Sequence, residues 1–291
     1  MPRVHVNEVE VYYEDTGSGF PIVFCHEFAG DYRAWEPQVR ALGRLYRCIT
    51  YSHRGFPPSS VPPDLESYSQ DLLIADLHGL VTQLGIQEAH FVGFSMGGNV
   101  VLNFALRHPQ LCRSIVVAGT GAGSTERARF EQNIDEVVHL IRTRGIRAFA
   151  ESYAEGPTRV QFKRKDPCGW SVFREQLAGH AADGQAHSMR GVMLRRPTVF
   201  SLEDRLRQLR VPALIAIGDE DEPCVDVAVF LKRVLPSVGL VVLPQSGHTI
   251  NLEEPALFNA ALLDFFRMVE AGRWSSRSEV TTSMLPVGAS H

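Results

Sequence analysis

The chain has 291 residues, 44% of them hydrophobic and 21% charged, ordinary globular material that fits one large α/β domain or one carrying an insertion. Its net charge of −4 leaves no cationic footprint for nucleic acid or an anionic membrane surface, and no apolar run approaches the roughly 20 residues of a membrane-crossing helix. The start, Met1-Pro2-Arg3-Val4-His5, lacks the apolar core of a signal peptide, so a cytoplasmic location is expected, and five cysteines without Cys-x-x-Cys spacing read as reduced thiols.

Residues 4–14 alternate in polarity around Asn7-Glu8, which predicts an antiparallel hairpin at a sheet edge. Residues 22–25 form a short apolar run, 31–45 carry helical periodicity, and 48–51 form a second run. Residues 68–84 space Leu73, Leu77, Leu80 and Leu84 at helical intervals. Further runs at 91–94, 115–118, 214–217 and 240–243 are of the doubly buried, parallel-strand kind. Strands alternating with helices predict a parallel sheet covered on both faces. The alternation fails between about 121 and 202, where 131–144 and 145–153 read as two helices, so this stretch is expected to be an inserted helical unit. The expected organisation is a core of residues 1–120 and 203–272, an insertion of 121–202, and an unstructured tail from 273 to 291 rich in Ser, Thr and small residues. Gly119-Thr120-Gly121-Ala122-Gly123 superficially resembles a dinucleotide loop but lacks the third glycine and the following acid, and reads as a flexible exit into the insertion.

The stretch with most chemical content is His90-Phe91-Val92-Gly93-Phe94-Ser95-Met96-Gly97-Gly98, an apolar strand running through Gly-x-Ser-x-Gly into a helical pattern. A serine on such a turn has its hydroxyl pushed out of the backbone, at a helix start whose free N–H groups favour negative charge. A serine hydroxyl needs a base, and the base needs an orienting group. His248 follows the run 240–243, on the carboxyl edge of the sheet that Ser95 shares, and is the expected base. The acid is sought in Gly218-Asp219-Glu220-Asp221-Glu222-Pro223 after the run 214–217; Asp221 is the choice, because the loop must clear the strand to reach across, with Asp219 as fallback. Two backbone N–H groups should face the developing oxyanion: that of Met96, and one from His26-Glu27-Phe28-Ala29-Gly30-Asp31, with Phe28 ahead of Glu27.

With these residues assembled, the chain resembles the α/β-hydrolase superfamily over roughly residues 4–269, in the group of small cap-bearing serine hydrolases that includes esterases, enol-lactonases, perhydrolases and carbon–carbon hydrolases. The elements carrying the resemblance are the Ser95 turn, the Gly218 to Asp221 loop, Arg54-Gly55, and Gly247-His248 followed by Glu253-Glu254-Pro255. It implies an eight-stranded, mostly parallel sheet with helices on both faces and a helical cap inserted after the run 115–118. Two positions depart from the pattern: His26-Glu27 stands where His-Gly is usual, and Ser52-His53 replaces the usual Asp before Arg54-Gly55. Ser95 is not an aspartate, which argues against the epoxide and haloalkane branches.

The expected activity is hydrolysis of a small-molecule carboxylic ester or lactone through an acyl-enzyme on Ser95. No metal, flavin, nucleotide or other cofactor is implied, and a homodimer is compatible with the sequence. The alternatives are cleavage of a ring-cleavage diketone, with Arg190, Arg195 or Arg196 stabilising a dienolate, peracid formation or acyl transfer, and a slow-turnover receptor of the same fold. Phe28, Trp35, Phe94, Phe149, Trp170 and Phe173 are candidates for an apolar pocket, with core burial the simpler expectation for most.

Overall fold

A computed structural model describes residues 2–123 and 126–276. Within them the chain forms eight strands: β1 (Arg3–Val6), β2 (Val9–Gly17), β3 (Pro21–Cys25), β4 (Arg47–Tyr51), β5 (Ala89–Phe94), β6 (Cys112–Ala118), β7 (Ala213–Gly218) and β8 (Val238–Leu243). They make one sheet in the order β1-β2-β4-β3-β5-β6-β7-β8. β1 and β2 are antiparallel, β2 is antiparallel to β4, and every later pairing is parallel. This is the α/β-hydrolase fold. The edge hairpin turns at Asn7 and Glu8, both with positive φ (45° and 68°), the backbone that a two-residue hairpin turn demands.

Alternate residues along the central strands face opposite ways, and two cores result. Val23, Ile49, Phe91, Val117 and Ile215 join one with helices α2 (Gln70–Gln83), α3 (Met96–Arg107) and α9 (Glu222–Val234). Phe24, Cys48, Val92, Val116 and Leu214 join the other with α1 (Glu36–Leu42), α10 (Ile250–Glu253) and α11 (Pro255–Glu270). β5 and β7 are buried along their whole length, whereas β8 is buried at its two ends alone and leaves Val242 half exposed. The run at 240–243 is therefore an edge strand and not a doubly buried one: it closes the sheet order, with a neighbour on one side alone.

Between β6 and β7 come α4 (Arg127–Ala154), α5 (Val160–Lys165), α6 (Pro167–Ala178), α7 (Ala182–His187), a π-helical turn (Ser188–Met193) and α8 (Glu203–Gln208). The division expected at residue 145 lies inside α4, where Gly145 takes φ 83°, ψ 168° and breaks the helical path. Residues 277–291, most of the expected tail, lie outside the described residues. Trp274 does not hang free: its ring meets Phe265 edge-on at 4.6 Å, and its indole N–H donates to the Ser237 carbonyl at 3.4 Å. Cys25, Cys48, Cys112 and Cys224 are buried free thiols and Cys168 is exposed. No described helix is long and apolar enough to cross a membrane.

Arg54 works for the fold. Arg54 lies on Asp76 of α2 through two hydrogen bonds of 2.6 and 2.7 Å, and also donates to the carbonyls of Ser67 and Asn7. One buried guanidinium thus ties the β4 loop, α2 and the edge hairpin together.

Candidate active site

β5 ends at Phe94, and Ser95 turns the chain with φ 53°, ψ −110° before α3 starts at Met96. A non-glycine residue in this region is strained by roughly 1–3 kcal/mol and persists where the surroundings hold it. Here the Ser95 N–H donates to the Ala118 carbonyl of β6 at 2.8 Å. The flanking glycines are needed because backbones touch: a Cβ on Gly93 would run into Gly97 and Gly98, and one on Gly97 into the carbonyls of Cys25 and His26. The start of α3 is therefore pressed against the end of β3, which brings Met96 beside the loop holding Phe28.

Asp221 stands immediately before α9, just beyond β7, and His248 lies in the loop between β8 and α10. These two loops also meet backbone to backbone, since a Cβ on Gly218 would strike the carbonyls of Ser246 and Gly247. The imidazole Nδ1 stands 2.7 Å from Asp221 Oδ2, and Nε2 stands 3.0 Å from Ser95 Oγ. With the hydrogen on Nδ1, the ring donates to the carboxylate and accepts from the serine, so both bonds are satisfied at once. Asp221 is 1% exposed through its side chain and His248 10%, while Ser95 is half-buried.

Asp219 sits elsewhere. Its carboxylate accepts from the Ser246 N–H at 3.0 Å, and the Ser246 and Gln245 amides hold it below the usual carboxylate range. It shapes the histidine loop without touching the imidazole. The Phe28 amide has no hydrogen-bond partner among the described residues, and that of Met96, first residue of α3, has none within its helix.

Cys224 also approaches, with Sγ 4.0 Å from His248 Nδ1. Asp221, Cys224 and His248 hold potential metal-ligand atoms within 4.8 Å of one another. Burial pushes the Cys224 thiol well up, and Nδ1 already has the Asp221 carboxylate at 2.7 Å. The donor set suits proton transfer better than a cation.

Two residues organise these loops in roles that sequence reasoning did not assign. Glu253 accepts from the Gly247 N–H at 2.7 Å and from the N–H and hydroxyl of Thr249, each at 2.9 Å, so it grips the chain on both sides of His248. Arg159, from the inserted helices, is fully buried, and its Nη2 donates to Glu27 Oε2 at 2.5 Å. The Glu253 motif was visible in the sequence as a resemblance. Nothing local marked Arg159, whose carboxylate partner lies 132 positions away.

Of the three arginines considered for anion stabilisation, Arg190 pairs with Asp135 at 2.7 Å and Arg195 is exposed. Arg196 is 6% exposed, and its Nε and Nη1 have no hydrogen-bond partner among the described residues. A cavity of about 430 Å³ lies beside the site, lined by Glu27, Trp35, Phe94, Phe162 and Phe173 among others, but not by Ser95 or His248. Phe28 and Phe149 pack around Tyr153, and Trp170 stacks under Lys163.

A parallel sheet with a serine elbow, an acid and a histidine on one carboxyl edge is the arrangement of an α/β hydrolase. The sequence matches the alpha/beta hydrolase fold family over residues 21–255, and the chain belongs to that family. An AB hydrolase superfamily protein of Bacillus subtilis, YisY, is 28% identical over 268 residues, covering 88% of this chain and 95% of that protein. Among solved structures, a thermophilic esterase from Thermogutta terrifontis superposes with TM-score 0.82 at 28% identity, covering 92% of this chain and 99% of that one. Est816, described as an N-acyl homoserine lactone degrading enzyme, superposes at 0.77 with 26% identity, covering 91% and 100%.

Proposed function

We propose that the protein hydrolyses a carboxylic ester or lactone through an acyl-enzyme on Ser95. The observation that carries this reading is the unbroken hydrogen-bonded line from Asp221 through His248 to Ser95, at 2.7 and 3.0 Å. Ser95 Oγ attacks the carbonyl carbon as Nε2 of His248 takes its proton. The developing oxyanion is held by the N–H groups of Met96 and Phe28. His248 then gives the proton to the departing alkoxide, and water repeats the sequence to release the acid. Asp221 keeps the imidazole in the productive tautomer and balances the charge it gains. The likeness to the T. terrifontis esterase and to Est816 supports both an ester and a lactone as substrate classes.

The test is labelling with a fluorophosphonate, which forms a stable bond to an activated serine, followed by a panel of short-chain p-nitrophenyl esters and lactones. Wild type is expected to be labelled at Ser95, and Ser95→Ala to lose label and about 10³-fold or more in turnover. Near-normal turnover by Ser95→Ala would remove the serine from this role.

A further inference from the structure

The loop after β3 carries Glu27 where the resemblance leads one to expect glycine, and its side chain is 3% exposed. A buried carboxylate without a partner is costly. Its partner comes from the inserted helices: Arg159, with a side chain 0% exposed, reaches down so that Nη2 meets Glu27 Oε2. The same guanidinium group donates to the Tyr153 hydroxyl at 3.3 Å and lies 4.9 Å above the Tyr153 ring and 5.1 Å from that of Phe173. Tyr153 packs on Phe28, ring centroids 6.3 Å apart, and Phe28 supplies the proposed oxyanion donor.

Glu27 is anchored through its backbone as well. Its carbonyl accepts from His26 Nδ1 at 2.6 Å and from the Gly30 N–H at 3.2 Å. Holding the Glu27 side chain therefore holds the peptide that leads into Phe28. One cation from the insertion thus neutralises the acid in the loop that carries Phe28.

We infer that Arg159 is a positioning residue: by pairing with Glu27 it makes the geometry of the oxyanion loop depend on the inserted helices being seated over the sheet edge. This rests on the serine-hydrolase reading. With the insertion displaced, Glu27 would lose its counter-charge and Phe28 its contact with Tyr153.

The experiment compares wild type with Arg159→Gln, Arg159→Lys, Glu27→Gln and the Arg159→Gln/Glu27→Gln double variant. It measures kcat and KM on a p-nitrophenyl ester, the rate of fluorophosphonate labelling of Ser95, and the melting temperature. Arg159→Gln is expected to lower kcat and the labelling rate together by about 10- to 100-fold, somewhat less than deletion of an oxyanion donor, with KM changed less than threefold. Arg159→Lys should recover part of the loss, and the double variant should lose less than the product of its two single effects. Should Arg159→Gln fail to fold, Glu27→Gln, nearly isosteric, reads the same coupling alone. A folded variant with kcat and labelling within twofold of wild type, whatever its melting temperature, overturns the inference and leaves the serine reading intact. Absence of labelling in wild type overturns both.

Discussion

Replacing Asp221 with Asn separates the proposed relay from mere proximity. The carboxylate is buried, and its Oδ2 accepts the His248 Nδ1 hydrogen at 2.7 Å. An asparagine of nearly the same shape would offer an N–H₂ group at that position, and the imidazole would move its hydrogen to Nε2. The ring would then face Ser95 Oγ, 3.0 Å away, with a donor, so the serine would have no base. Enzymes with this arrangement lose about 10⁴-fold in kcat on such a change, about 5 kcal/mol of transition-state stabilisation. The same loss is expected here, read as kcat on a p-nitrophenyl ester near neutral pH. Asp219→Asn is the internal control: that carboxylate accepts from the Ser246 amide and touches no part of the imidazole, so a loss below tenfold is expected. Asp221→Asn retaining kcat within tenfold, or Asp219→Asn falling as far as Asp221→Asn, would refute the assignment.

Two further outcomes follow from buried charge. Burial lowers the Arg196 guanidinium to about 10, and two of its nitrogens have no partner among the described residues; Arg196→Met is therefore expected to raise stability, by on the order of 1–4 kcal/mol in urea unfolding, and a loss would show that the charge is compensated. Burial also lowers His26 and His90 to about 4, so both stay neutral in the fold while the unfolded chain takes up protons near pH 6.5. Their stabilising contribution is complete above about pH 6.5 and is lost as pH falls towards 4, at roughly 3 kcal/mol each. A urea midpoint equal at pH 7 and pH 4.5 would contradict this.

Much of the fold could be read from periodicity because the strands concerned are short, apolar and bounded by turn residues. The helix–glycine–helix path around Gly145 was legible for a similar reason: its positive φ is one that glycine alone adopts without cost. The turn at Ser95 stood out since tight backbone contact restricts neighbouring positions to glycine, a constraint that is local in sequence. Asp221 could be favoured over Asp219 from reach alone. What escaped was long-range polar pairing. Arg159 is one of several basic residues in a helical stretch, and its burial depends on a carboxylate 132 positions earlier. The exposure of β8 was equally hidden, because strand order decides which apolar run lies at an edge, and order is a property of the assembled sheet.

The apposition of glycine backbones at 93, 97 and 218 has a bearing on how this molecule can diversify. Those contacts are blind to the identity of whatever ligand is present, so the inserted helices are free to vary in lining and length while the machinery beneath them keeps its spacing. The exceptions are the side chains that reach down from the insertion: Gln185 to the Phe28 carbonyl at 3.3 Å, Lys165 to Ser246 Oγ at 3.2 Å, and Arg159 to Glu27. An engineer widening the acceptance of the enzyme by grafting another insertion would have to carry over that arginine, or restore a glycine at 27, to keep the two layers in step.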